Sequence, residues 1–223
     1  NTHTIWPIKL IMKKVFQKGN IDAFNRHLKL FKQNGETFRV EKSGLSRKII
    51  TPTKTLRFFG KDKSSFIKGS WNTNRVRKCI DRYIDKFGVP KKYDKPHIQV
   101  FNNESIQKVL NTPIGCIDVN ACYWTTAMLL GYIDEQTYRI GISEGNKMGL
   151  LVSIGFLNKK PLIVEYEGGK ETSSYLNESI YQKYSPFYWK IIGHTRDLYC
   201  ALYDAIGDDM YMWVTDCVFF KLE

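Results

Sequence analysis

A predicted strand-to-helix junction at residues 114–131 constrains this chain most, because a single carboxylate interrupts an otherwise apolar segment there. The segment reads IGCIDVNACYWTTAMLLG. The apolar run 114–119 predicts a buried strand, and the apolar pattern of residues 121–130 predicts a helix capped by Asn120. Asp118 therefore lies where a strand gives way to a helix, a position at which ligands and metals gather in open sheets. A role for Asp118 as an ordinary turn or cap residue explains this stretch equally well.

A second aspartate lies in a similar setting near the C-terminus, in the segment MYMWVTDCVFF. Two β-rich runs, residues 210–214 and 218–220, flank residues 215–217, which predicts a tight hairpin with Asp216 at its tip. A carboxylate in such apolar surroundings is costly unless it is paired or binds a cation. Asp118 and Asp216 together are the kind of ligands that a two-metal phosphoryl-transfer site needs.

Three short segments around these aspartates carry a resemblance to a known family. Residues 118–123, reading DVNACY, resemble motif A of the family B DNA polymerases, D-x-x-S-L-Y. Residues 211–217, reading YMWVTDC, resemble their motif C, Y-x-D-T-D-S, and residues 147–155, reading KMGLLVSIG, are similar to their motif B, K-x-x-x-N-S-x-Y-G. The three motifs follow the family's order and cover about half of the chain, residues 114–221.

The resemblance implies an α+β fold with a polymerase-palm-like antiparallel sheet and helices on one face. It implies a template-directed nucleotidyltransferase, a DNA polymerase or primase-like enzyme of phage or mobile-element type. Asp118 and Asp216 would be the catalytic residues and would bind Mg²⁺ or Mn²⁺. Lys147 and Arg139 would contact the triphosphate of a dNTP, and Tyr123 would lie under its sugar. The other expected partner is primed or single-stranded DNA.

Departures from the family pattern leave other functions open. Val214 stands where motif C usually has its first aspartate, and motif B lacks its Asn-Ser pair and its tyrosine. A catalytically degenerate palm, acting as a nucleic-acid-binding or scaffold protein, is one alternative. A two-metal nuclease that uses Asp118, Glu165 and Asp216 is another. Only 23 residues separate Tyr123 from Lys147 and seven follow Asp216, so we expect minimal fingers, no thumb and a partner protein that supplies the thumb function.

Charge is divided unevenly along the chain. Residues 1–100 hold 24 Lys and Arg against 7 Asp and Glu, a net charge of +17, whereas residues 101–223 hold 10 against 15, a net charge of −5. This division predicts a basic mixed α/β nucleic-acid-binding region at 1–95 and a palm-like domain at 96–223. The candidate phosphate contacts are basic residues interleaved with aromatic ones: Lys54, Arg57, Lys61, Lys63, Lys68, Arg75, Arg77, Lys78 and Arg82. A solubilising surface, or an edge hairpin protected by its lysines, is the alternative.

Periodicity and composition predict the remaining organisation. The predicted helices are 21–32 with Asn20 as its cap, 74–87, 103–110, one capped by Ser143, and one or two within 179–206 that break near Pro186. The predicted strands are 38–40, 49–51, 97–101 and 162–166. No apolar run is long enough to span a membrane, and five cysteines without a C-x-x-C pair indicate a reducing cytoplasm, that of the host if the gene is a phage's.

Overall fold

The structure is a computed structural model that describes residues 18–43, 46–59, 63–91, 93, 113–144, 147–214 and 216–222. Its fold is α+β, which confirms the predicted class. The chain forms two compact units. The first unit comprises Asn1–Phe66 and Lys159–Tyr181, and the second comprises Ile67–Asn158 and Gln182–Glu223.

Helices and strands of the described residues are numbered in chain order. The helices are α1 (Ile21–Gln33), α2 (Lys63–Phe87), α3 (Cys122–Leu129), α4 (Glu135–Ser143), α5 (Lys147–Gly155) and α6 (Glu178–Ile206). The strands are β1 (Lys18–Gly19), β2 (Phe38–Ser43), β3 (Ser46–Ile50), β4 (Thr55–Phe59), β5 (Ile114–Asp118), β6 (Leu162–Glu167), β7 (Lys170–Leu176), β8 (Met210–Val214) and β9 (Cys217–Lys221). Short 3₁₀ turns follow α5 at Phe156–Asn158 and α6 at Gly207–Asp209.

The first unit is built on a six-stranded sheet in the order β1-β4-β3-β2-β6-β7. All neighbouring strands are antiparallel except the short β1, which pairs with β4 in parallel. Helix α1 begins at the predicted cap, where the Asn20 side chain accepts a hydrogen bond from the Ala23 N–H at 2.9 Å. Phe24 and Phe31 lie two helical turns apart, so both face the sheet and join its buried cluster.

The second unit contains a three-stranded antiparallel sheet in the order β5-β9-β8. Strands β8 and β9 form the predicted hairpin, in which Val214 pairs with Cys217. Helix α6 packs against this hairpin. The centre of its buried Tyr199 ring lies 4.6 Å from the centre of the Trp213 ring on β8. Burial of these two large rings together stabilises the hairpin.

Strand β5 is present as predicted, but the prediction that it is buried is wrong. Ile114 and Ile117 are 42% and 39% exposed, and Gly115 is its one buried residue. The reason is its position at the edge of the sheet in the described part of the chain. The Phe220 ring on β9 covers Gly115, and a Cβ there would overlap that ring.

The predicted break of α6 near Pro186 is also wrong, since the helix runs unbroken through this residue. Proline removes one backbone hydrogen bond from a helix, which usually kinks it. Here the flanking residues Ser185 and Phe187 are buried, and the Tyr184 hydroxyl donates to the Asp81 carboxylate on α2 at 2.9 Å. Tertiary packing therefore stabilises the helix across the lost bond.

Helix α4 is held to α2 through its cap. Asp134 accepts a 2.7 Å hydrogen bond from the Thr137 N–H and a 2.7 Å hydrogen bond from Arg82 on α2. Hydrogen bonds from Thr137 and then the Arg82 guanidinium lower the pKa of Asp134, against the opposing effect of its partial burial. The predicted cap at Ser143 is wrong, because Ser143 is the last residue of α4 and its hydroxyl donates to the Ile140 carbonyl.

Several sequence predictions concern residues that the structure does not describe. The strand 97–101, the helix 103–110 and the domain boundary near residue 95 lie outside the described residues. The predicted helix 74–87 is confirmed as the second half of α2. No helix among the described residues is both long and apolar enough to cross a bilayer.

Gly141→Ala tests the packing of α4. A Cβ at Gly141 would lie 2.6 Å from the buried Trp124 indole and 2.9 Å from Leu150. We expect Gly141→Ala to lower the free energy of unfolding by about 1–2 kcal/mol, because overpacking outweighs the helix propensity of alanine. Urea unfolding measures this value. The matched control is Gly155→Ala at the end of α5, where a Cβ meets no atom within 4 Å and stability should hold or rise. Equal stability of the two variants would contradict this packing.

Candidate functional site

Backbone pairing in the second unit brings the two predicted aspartates to the same end of one sheet. Asp118 is the last residue of β5 and lies opposite Cys217, the first residue of β9. One step further, the Val119 N–H donates to the Asp216 carbonyl at 3.0 Å. Asp216 lies in the turn between β8 and β9. The aspartates of the motif A and motif C segments therefore lie at the same sheet end, Asp118 as the last residue of β5 and Asp216 in the turn just before β9.

The side chains of the two aspartates have different surroundings. Residues directly opposite in an antiparallel pair share a face, so Asp118 is on the face of Cys217, where it is exposed. Asp216 instead lines a cavity. Burial raises the pKa of the Cys217 thiol to about 12, and the neighbouring Cys116 thiol and the charges of both aspartates act in the same direction. Both carboxylates thus lie within electrostatic reach of one thiol.

The cavity has a volume of about 490 Å³ and lies within the second unit. Most of its wall is apolar, and its described lining residues come from the β5–α3 junction, α3, α4, α5 and the β8–β9 turn: Asn120, Ala121, Cys122, Tyr123, Trp124, Ile142, Lys147, Leu150, Leu151 and Asp216. Three of them were predicted from three separate motifs, namely Tyr123, Lys147 and Asp216. Asp118 is not among these lining residues.

The chain enters α3 through an unusual backbone conformation. Ala121 has φ of 48°, the left-handed region that side chains other than glycine rarely adopt. The prediction that Asn120 caps α3 is wrong, because Ala121 is the cap residue, and it makes no side-chain capping hydrogen bond. The Asn120 carbonyl instead accepts a hydrogen bond from the Thr125 hydroxyl at 3.1 Å. Strained residues of this kind cluster at functional sites, and Ala121 lines the cavity.

Two tyrosines near Asp216 stay protonated at neutral pH. Burial raises the pKa of Tyr123 to about 12, and the charge of Asp216 is a smaller contribution in the same direction. Burial likewise raises the pKa of Tyr199, which is fully buried. Tyr123 therefore offers the cavity a neutral phenol that can donate a hydrogen bond.

A small buried polar network fixes the position of α3 against α6. Thr126 and Thr195 hydroxyls lie 3.2 Å apart, and the Thr195 hydroxyl also donates to the Ile191 carbonyl at 3.0 Å. The Cys122 thiol lies 3.9 Å from both the Thr195 and the Tyr199 hydroxyls. Sequence patterns did not identify this network, because its partner residues on α3 and α6 are 69 to 77 positions apart in the chain.

The two aspartates suit a hard divalent cation. Carboxylate oxygens are the ligands that Mg²⁺ and Mn²⁺ prefer, and Mg²⁺ commonly takes only one or two from the protein and the rest from water and substrate phosphates. Within the described ranges, no group of three or more His, Cys, Asp or Glu side chains is arranged to hold a metal ion. The candidate ligands are the carboxylates of Asp118, at the end of β5, and Asp216, just before β9.

Two other candidate residues are not among the described residues that line the cavity. Arg139 on α4 forms an ion pair with Glu135 one turn earlier at 2.6 Å, and its side chain is 77% exposed. Glu165 belongs to the first unit, where its carboxylate accepts hydrogen bonds from the Ser173 and Tyr175 hydroxyls of β7. Neither residue lines the cavity in the described structure.

The candidate phosphate contacts of the first unit differ in accessibility. The Lys54 ammonium lies over the Phe31 ring, 5.3 Å from its centre. Arg57 on β4 is partly buried, and this burial lowers its pKa although Glu41 opposes the effect. Lys61 lies outside the described residues, and Lys63 falls in the first turn of α2.

The remaining basic candidates all lie on α2: Lys68, Arg75, Arg77, Lys78 and Arg82. Arg75 forms a 2.7 Å ion pair with Glu144 after α4. The Arg82 guanidinium pairs with Asp134 as described above, and the Arg77 guanidinium lies 5.1 Å from the centre of the Tyr184 ring. Lys78 is exposed. Arg75, Arg77 and Arg82 thus have structural contacts within the second unit, which sequence alone did not indicate.

Comparison with known proteins gives no match to a family model, to a curated protein or to a solved structure. A function for the cavity is therefore inferred from its own residues, their geometry and their chemistry.

Ala121→Gly tests the strain at the entrance to α3. A left-handed alanine costs about 1–2 kcal/mol, whereas a new glycine costs about 0.4–1 kcal/mol through the unfolded chain. We expect Ala121→Gly to raise the free energy of unfolding by about 0.5–1 kcal/mol in urea titrations. In the matched control, Ala127→Gly in the regular part of α3, stability should fall by about 1–2 kcal/mol. A loss of similar size in both variants would show that Ala121 is unstrained.

Proposed function

We propose that the second unit is a polymerase-palm-like nucleotidyltransferase that joins a dNTP to a nucleic-acid primer. One observation carries this proposal. Tyr123, Lys147 and Asp216, one residue from each of three motif-like segments, line the same cavity although they are up to 93 residues apart in the chain. The pairing of β5 with the β8–β9 hairpin, which sets Asp118 beside Asp216, supports it further.

Each cavity residue has a role that follows from its chemistry. Lys147 is an exposed cation at the start of α5 and would attract the negative triphosphate. Tyr123, protonated and partly buried, would donate a hydrogen bond or pack against the sugar. The apolar side chains of Trp124, Leu150 and Leu151 give the flat nucleobase an apolar surface.

Asp216 and Asp118 would hold the divalent cation, Mg²⁺ or Mn²⁺. When bound, such a cation lowers the pKa of the attacking hydroxyl and offsets the charge of the phosphates. The two carboxylates would balance the charge of the cation and orient it at the end of the sheet. The first unit and α2 supply basic side chains that would neutralise the backbone phosphates of DNA.

A second candidate function is nucleic-acid binding without catalysis. The observation that favours it is the separation of the two aspartates, since Asp216 lines the cavity and Asp118 does not. In that case the cavity and the basic residues would serve recognition or scaffolding alone.

Asp216→Asn separates these two functions. The change keeps the volume of the side chain and removes the charge that a metal requires. We therefore expect the kcat of nucleotide incorporation to fall by at least about 10³-fold, the effect of losing one catalytic unit. Primer extension with dNTPs and Mg²⁺ or Mn²⁺ measures it. Asp118→Asn should be equally inactive, and the double variant no worse than either.

The matched control is Asp209→Asn, an exposed aspartate just before β8 that does not line the cavity. It should extend primers like the wild type. Extension by the Asp216→Asn protein, purified free of other polymerases, would contradict the proposal. Binding without extension by the wild type would favour the binding protein, and degradation of the primer would favour a nuclease.

Salt dependence tests the nucleic-acid partner. We expect binding of single-stranded DNA to weaken steeply with KCl, and Lys78→Ala to reduce the slope of log K against log salt by about 1, because one phosphate contact is lost. Fluorescence anisotropy at several KCl concentrations gives this slope. Arg75→Ala is the contrast, since Arg75 is already paired with Glu144; its slope should equal that of the wild type while its stability falls. A flat salt dependence of the wild type would exclude DNA as the partner.

A further inference from the structure

Two cysteines on neighbouring strands bring their sulfurs together beside the aspartates. Cys116 on β5 and Cys217 on β9 have Sγ atoms 2.9 Å apart, and both are free thiols. In the register of the two strands, Cys116 lies opposite Phe219 and Asp118 lies opposite Cys217. The two cysteines are therefore diagonal neighbours on one face of the sheet.

The separation of the two sulfurs approaches that of a disulfide bond. A disulfide has an S–S distance of about 2.05 Å, so the two sulfurs need to approach by only about 0.9 Å more. Both thiols lie on strands whose register is set by the β5–β9 ladder, so their sulfurs are held as neighbours. Cys116 is exposed and Cys217 is partly exposed, whereas Cys79 and Cys122 are buried.

We propose that Cys116 and Cys217 form an oxidisable dithiol that a peroxide converts to a cross-strand disulfide. The Cys116 sulfur attacks one peroxide oxygen, the O–O bond breaks, and Cys116 becomes a sulfenic acid while water or an alcohol leaves. The Cys217 sulfur then attacks the Cys116 sulfur, the S–S bond forms and the S–O bond breaks. The thiol proton of Cys217 leaves with the displaced hydroxide as water. In total, two thiols are oxidised and one peroxide is reduced.

The disulfide would link the two strands next to both candidate metal ligands. Cys217 directly follows Asp216, and Cys116 precedes Asp118 by two residues on the same face as Asp118. The bond would fix the separation of the strand ends on which the two carboxylates lie. This effect on catalysis rests on the proposed function, whereas formation of the disulfide does not.

Peptide mass mapping of the full chain tests the disulfide. The reduced protein is treated with hydrogen peroxide, its remaining thiols are blocked with N-ethylmaleimide, and it is digested without reductant. We expect one cross-linked peptide pair joining Cys116 to Cys217, lighter by two hydrogens than the sum of its parts and lost on treatment with dithiothreitol. Cys200→Ser should keep this cross-link, and Cys116→Ser and Cys217→Ser should lack it.

Other products would overturn the inference. They include Cys116 oxidised to sulfinic acid without the cross-link, a cross-link to Cys79 or Cys200 in its place, or a cross-link between two chains. Circular dichroism of Cys116→Ser establishes that the variant is folded, so that loss of the cross-link reports on the missing thiol.

A parallel primer-extension assay separates this inference from the proposed function. Peroxide should lower extension by the wild type at least tenfold, dithiothreitol should restore it, and Cys116→Ser should resist peroxide. If the cross-link forms and the reduced wild type extends no primer, the proposed function fails and the dithiol stands. If extension is normal and no cross-link forms, the dithiol fails and the proposed function stands.

Discussion

The pairing of β5 with β9 is the interaction on which the rest of the second unit depends. It joins Asp118 to Cys217, 99 residues later in the chain, and continues into the hydrogen bond between the Val119 N–H and the Asp216 carbonyl. A pairing over such a distance is costly in chain entropy, so it needs the apolar cluster around Tyr199 and Trp213 to stabilise it. This ladder is what brings Asp118 close to Asp216 and the Cys116 thiol close to the Cys217 thiol.

The ladder also sets the start of α3 and hence the cavity. Beyond Val119 the chain turns through the left-handed Ala121, and α3 is then fixed against α6 by the buried network around Thr126 and Thr195. The Trp124 indole on α3 packs directly against Gly141 on α4. The left-handed backbone at Ala121 and the absence of a side chain at Gly141 let Tyr123 and the apolar wall lie next to Asp216. Binding sites commonly contain local strain of this kind, which the surrounding structure stabilises.

Local sequence patterns predicted the helices and strands better than they predicted how these elements pack and which residues are exposed. The cap at Asn20 and the β8–β9 hairpin follow from nearby residues, and the sequence predicted them correctly. The α+β class, which the motif resemblance implied, is also confirmed. The exposure of β5 and the continuity of α6 through Pro186 depend on distant partners, and both predictions failed for that reason. The same holds for the site: Tyr123, Lys147 and Asp216 were found through motif spacing, whereas Ile142 and Leu150 carry no local sign of a shared cavity. Nor does sequence spacing indicate that Cys116 and Cys217 touch.

Binding of Mn²⁺ together with a dNTP tests the central claim most directly, because it requires neither a primer nor turnover. Electron paramagnetic resonance of free Mn²⁺ gives the amount bound as the protein is titrated. The account predicts that the wild type binds Mn²⁺ more tightly when a dNTP is present, and that Asp216→Asn and Lys147→Ala each lose this gain while Asp209→Asn keeps it. Equal Mn²⁺·dNTP affinity in the wild type and in the Asp216→Asn protein would contradict the claim that this cavity is a metal-dependent nucleotide site.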